Sequence, residues 1–80
     1  MGAQATVLYF AALRDTAGVA SERVDAHGSL GDVYDALRER HGFQWSRSQL
    51  RVAVDGAFVR WDETVRAGTE IAFIPPVSGG

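Results

Sequence analysis

The two stretches of this 80-residue chain that read most clearly as buried strand lie at its opposite ends. Thr6 to Leu13 (TVLYFAAL) is rich in aromatic and aliphatic residues with no polar alternation, the pattern of a strand covered on both faces or nearly so. Glu70 to Ile74 alternates instead, with Ile71 and Phe73 on one face and Glu70, Ala72 and Ile74 on the other. Buried strands tend to be central. The first and last strands are therefore predicted to lie side by side and parallel, with a helix crossing one face of the sheet.

The intervening sequence fits that frame. Asp15-Thr16-Ala17-Gly18 reads as a turn, and Ser21 to Asp25 as a more exposed strand completing a first hairpin. Ser29 can cap a helix, with Asp32 three residues on in a capping-box position and Leu30, Val33, Tyr34 and Leu37 forming one apolar face. Gly42 is placed to end that helix in the left-handed conformation, and Phe43 and Trp45 should close the core beneath it. Leu50 to Val54, Asp55-Gly56 and Ala57 to Trp61 form a second hairpin, because Asp-Gly accepts the positive φ angles of a tight primed turn. The order strand, strand, helix, strand, strand, strand predicts an α+β fold of the β-grasp type. Its mixed five-stranded sheet carries one main helix, in a single domain over residues 1–80 with an extended tail over 75–80.

Composition narrows the chemistry. There is no cysteine, so disulfides, thiolate metal clusters and thiol nucleophiles are all excluded. A formal charge of −2 gives no electrostatic footprint for nucleic acid. The longest apolar run, Val7 to Leu13, falls far short of the roughly 20 residues that span a bilayer, and the reading is cytoplasmic. All eight Lys/Arg positions are arginine. Codon bias is the ordinary origin of such a composition. Whatever its origin, the chain offers no lysine to accept an isopeptide bond.

After the last strand the sequence runs Pro75-Pro76-Val77-Ser78-Gly79-Gly80. The prolines lack N–H donors and favour extended backbone, so sheet pairing should lapse there and the tail project. At about 3.3 Å per residue the stretch from Pro75 reaches roughly 20 Å, enough to enter another protein's active site. Terminal glycines remove every side chain beside the carboxylate, so a narrow channel can close around the backbone.

The ending Gly68-Thr69-Glu70-Ile71-Ala72-Phe73-Ile74-Pro75-Pro76-Val77-Ser78-Gly79-Gly80 resembles that of the molybdopterin synthase small subunits, a family of ubiquitin-like sulfur carriers. Val7-Leu8-Tyr9-Phe10-Ala11 with Arg14, the helical segment and Ala53-Val54-Asp55 extend the similarity over nearly the whole chain. The resemblance implies that a ubiquitin-activating-type enzyme uses ATP to adenylate the Gly80 carboxylate. A sulfur donor then displaces AMP, and the thiocarboxylate serves the large catalytic synthase subunit, where sulfur passes to cyclic pyranopterin monophosphate. Gly79, Ser78, Val77, Pro76 and Pro75 would be read by the partners. The chain itself would be a non-catalytic subunit, binding no metal and no resident cofactor, and carrying AMP and sulfur only transiently. Two rival readings keep the activation step: a carrier for thiazole or cysteine synthesis, and a protein modifier conjugated through Gly80.

Alternation predicts that Ile74 leaves the core face, as do Phe58 beside Val59 and Phe10 beside Tyr9, so that the three form one apolar patch across adjacent strands. In the resembling family the matched positions contact the large subunit. Arg14 matches an arginine near the same surface and can grip a carboxylate or carbonyl through its forked guanidinium. Trp61 reads as a packing residue. No catalytic constellation is evident: His27 and His41 lack ligand-like companions and read as structural or solvent-facing, and Ser78 has no base.

Overall fold

A computed structural model describes residues 3–75. The elements run β1 (Gln4–Tyr9), α1 (Ala11–Ala17), β2 (Ser21–Asp25), α2 (Leu30–His41), a 3-10 turn (Arg47–Gln49), β3 (Arg51–Val54), β4 (Ala57–Val59) and β5 (Glu70–Ile74). The strands form one sheet in the order β2-β1-β5-β3-β4. As the apolar ends of the sequence predict, β1 and β5 are parallel neighbours, in a register that sets Val7 against Ile71 and Tyr9 against Phe73. All other strand pairs are antiparallel. This is the mixed five-stranded β-grasp sheet, with its helices across a face.

The core lies between α2 and the sheet. Val7, Tyr9, Val52, Ile71 and Phe73 from the strands meet Leu30, Val33, Tyr34 and Leu37 from the helix, with Phe43 closing the helix's end. Trp61 does pack inward, with its ring centroid 5.6 Å from that of Tyr34 and 5.7 Å from that of Phe73. Each end of α2 has a local cause. Ser29 and Asp32 form the reciprocal capping box, and Gly42, at φ 77°, caps the last turn by donating its N–H to the Arg38 carbonyl at 2.8 Å. The first-turn N–H groups of Leu30 and Gly31, which a helix cannot satisfy internally, donate to the carbonyls of Glu63 and Trp61 at 2.9 Å.

Three expectations change. The first strand ends at Tyr9 rather than Leu13 and gives way to helix α1, so the Asp15–Gly18 turn is really the last turn of that helix, capped by Gly18 at φ 78°. The break occurs at Ala11, whose φ of 51° cannot continue a strand and turns the chain so that Leu13 is buried from a helix. Second, β1 is not covered on both faces: Ala5, Val7 and Tyr9 are buried, while Thr6 and Leu8 are half-exposed. Third, β4 stops at Val59, leaving Trp61 in the turn after it. The Asp-Gly hairpin matches its expectation, with Asp55 at φ 50° and Gly56 at φ 87°.

Candidate functional site

Of the predicted contact residues, Phe58 and Ile74 fall on the sheet face opposite α2. Its central row is fixed by register: Leu8 opposite Ala72, Ala72 opposite Ala53, and Ala53 opposite Phe58. Small side chains at the two middle positions make a shallow floor beside Phe58, which is 58% exposed. The next row brings Arg51 opposite Ile74, and the Arg51 guanidinium lies 4.2 Å from the centre of the Phe58 ring. A cation so placed covers one face of the aromatic and leaves the other open. Ile74 itself is half-buried, less exposed than alternation alone suggested.

Phe10, 47% exposed, follows Tyr9 in extended conformation and serves as the N-cap residue of α1. One step beyond the Tyr9–Phe73 pair, Phe10 leaves β1 and Ile74 ends β5 at the same end of the sheet. Pro75 continues from there. Arg14 projects from α1 as an exposed side chain that makes no ion pair among the described residues. Val77, Ser78, Gly79, Gly80 and Pro76 lie outside the described residues.

On the core side of the same strand end is a polar cluster that the sequence reading missed. Glu22 of β2 accepts hydrogen bonds from the Tyr9 hydroxyl and, at 2.7 Å, from His41 Nε2, with Arg40 Nη1 at 3.9 Å. Burial alone would raise the Glu22 pKa, but the hydrogen bonds from Tyr9 and His41, with the charges of His41 and Arg40, outweigh it and hold the carboxyl below its ordinary value. Burial, reinforced by the bond to Glu22 and its negative charge, pushes the Tyr9 hydroxyl up. His41 is thus structural, and its ring stands edge-on to Tyr9 at 5.8 Å between centroids. A signal was present in the sequence: strand alternation through Val24 puts Glu22 on the inward face, where a carboxylate needs partners.

Among the described residues no group of three His, Cys, Asp or Glu is placed to hold a metal ion. No helix there is long and apolar enough to cross a membrane. What the arrangement offers is a central strand, β5, that carries the chain to Pro75 at the end of the sheet where Phe10 leaves β1.

A five-stranded mixed sheet with a helix across it, and the last strand at its centre, defines the class of β-grasp, ubiquitin-like proteins. Within that class the chain belongs to the ThiS family, whose model matches residues 7–80. Small archaeal modifier protein 1 of Haloferax volcanii is 37% identical, over 89% of this chain and 94% of its own length. The molybdopterin synthase sulfur carrier subunit of Haemophilus influenzae is 30% identical, over 92% of this chain and 96% of its own. Among solved structures, a putative molybdopterin converting factor subunit 1 from Pyrococcus furiosus superposes with a TM-score of 0.79 at 28% identity, covering 95% of this chain and all of that one. Membership places the chain among ubiquitin-like carriers whose chemistry runs through a C-terminal glycine, and its sequence contains no cysteine.

Proposed function

We propose that this chain is an acyl donor whose Gly80 carboxylate is adenylated by a ubiquitin-activating-type enzyme and then joined to amines on other proteins, as a protein modifier. The observation that carries this reading is the similarity, over nine-tenths of the chain, to a protein described as a modifier, and the Gly79-Gly80 pair of this sequence supports it. Adenylation joins a carboxylate oxygen to the α-phosphorus of ATP and releases pyrophosphate, converting a resonance-stabilised carboxylate into an electrophile with AMP as leaving group. Attack by an amine forms the amide and expels AMP. The domain's part is to present the tail: Phe73 anchors β5 in the core, Pro75 and Pro76 end strand pairing, and Gly79 clears the approach to Gly80. Phe10, Phe58, Ile74 and Arg14 supply the surface that the activating enzyme grips.

The second reading is a sulfur carrier for molybdopterin synthesis. There a sulfur donor displaces AMP and the Gly80 thiocarboxylate serves a large catalytic subunit docked on the same apolar face. The molybdopterin synthase carriers among its relatives and the exposed Phe10 and Phe58 favour it.

One experiment separates these outcomes. The chain is incubated with its activating enzyme and ATP, with and without a sulfur donor, in an extract of its own cells, and intact masses and adducts are read. Adducts on other proteins that vanish when Gly79 and Gly80 are deleted are the expected result. A mass increase equal to sulfur replacing oxygen, with no adducts, selects the carrier reading. If neither product forms while the enzyme activates a control substrate, both readings fail.

A further inference from the structure

Register places Arg51 on the outward face of β3, opposite Ile74 of β5 and diagonal to Phe58 of β4, which pairs with Ala53. Its guanidinium reaches over the Phe58 ring, with Cζ 4.2 Å from the ring centre. Stacking of this kind uses the flat face of the cation and leaves its N–H donors pointing outward in their own plane. The charge itself is uncompensated. Among the described residues Arg40, Arg47 and Arg60 have carboxylates at 3.9, 3.8 and 3.2 Å, those of Glu22, Asp35 and Asp62, and Arg38 donates to the Phe43 carbonyl. Arg14, Arg23, Arg51 and Arg66 have no such partner there, and of these only Arg51 is held in place by an aromatic ring.

Arg51 lies inside the surface assigned above to the activating enzyme. It stands between Phe58, whose ring its guanidinium covers, and Ile74, its partner in the register, so an enzyme surface laid over both also covers Arg51. Water is then stripped from the cation. A charge buried without an opposite is strongly unfavourable, whereas a carboxylate set in the plane of the guanidinium accepts two parallel N–H bonds. One fork matches one carboxylate. Arg60, which follows β4 and would be the second charge that a phosphate calls for, is already paired with Asp62. The apolar Phe58 and Ile74 on either side point the same way, to a carboxylate carried on a protein surface with apolar groups around it.

We propose that Arg51 determines which activating enzyme this chain accepts, by requiring a carboxylate of the enzyme opposite its guanidinium and rejecting a surface that is basic or wholly apolar there. Phe58 prepares the site. Its ring holds the guanidinium before the enzyme arrives, so less side-chain freedom is lost on docking. The inference rests on the adenylation proposed for Gly80 and adds the feature by which the adenylating enzyme is chosen.

The test uses the full-length chain and the ubiquitin-activating-type enzyme of its own organism, with binding followed by titration without ATP and activation followed by pyrophosphate release with it. Arg51→Gln should weaken binding and raise the apparent KM by about tenfold, Arg51→Glu by about a hundredfold, and Arg51→Lys, which keeps the charge but not the fork, by only about threefold. Throughout, kcat should change little, as for a contact made equally in the bound and reacting states. Arg51 is exposed, so every variant should unfold close to the temperature of the unsubstituted chain. Arg66→Glu, in the turn before β5, alters the net charge as much as Arg51→Glu does and should leave binding and KM as they are. Equal values across the Arg51 series, or the same loss in Arg66→Glu, would overturn the proposal while leaving adenylation in place. Binding that follows the Arg51 series with no pyrophosphate released would keep the carboxylate contact and remove the adenylation reading. No binding of the unsubstituted chain by an enzyme that activates a control substrate would overturn both. Self-association of the chain that is lost in Arg51→Glu would mean that Glu70 of a second copy meets the guanidinium, and would overturn the proposal as well.

Discussion

At the residue scale the most informative group is Glu22, a carboxylate held by Tyr9 and His41 beneath the point where β1 ends. Its pKa in the fold lies below the ordinary value of 4.5. The native state therefore binds fewer protons than the unfolded chain as pH falls into that range. The stabilisation is complete above the unfolded value and is lost as pH drops through the lowered one. Thermal midpoints followed from neutral pH to about pH 3 should thus fall steeply, and Glu22→Gln should flatten the acid limb while lowering stability at neutral pH. An unchanged acid limb would show that Glu22 does not govern it. This cluster was legible only in part. Alternation pointed Glu22 inward, but nothing in the sequence brought His41, 19 positions away, to the same oxygen.

Elements were readable to the extent that each had its own local cause. Helix α2 announced itself by an apolar face, an Asp32 capping box and a closing glycine, all of which the structure contains. Ser29→Ala should cost about 1 kcal/mol in chemical denaturation, because Asp32 N–H then loses its side-chain partner at the helix start. A cost within error would mean that the loop contacts to Leu30 and Gly31 hold the helix start by themselves. Helix α1 had no such signature. It spans seven residues, buries only Leu13 fully, and sits inside an apolar run where helix and strand periods cannot be told apart. The positive φ at Ala11 that ends the strand belongs to tertiary context, since alanine carries no preference for it.

For the molecule as a whole, the Asp55-Gly56 turn fixed the hairpin register and with it the outward aim of Phe58, which strand alternation alone had indicated. Phe58→Asp tests that surface. With the ring more than half exposed, stability should change by no more than about 0.5 kcal/mol. If the proposed activation holds, an adenylating enzyme's apparent KM for this chain should rise by about tenfold with kcat little changed. Unaltered kinetics would remove Phe58 from the interface. The placement of β5 has a further, mechanical consequence. Its four registered pairs with β1 and four with β3 flank it on both sides. A load applied through the C-terminal end of the chain is therefore resisted in shear by two ladders at once, whereas an edge strand can be peeled away bond by bond.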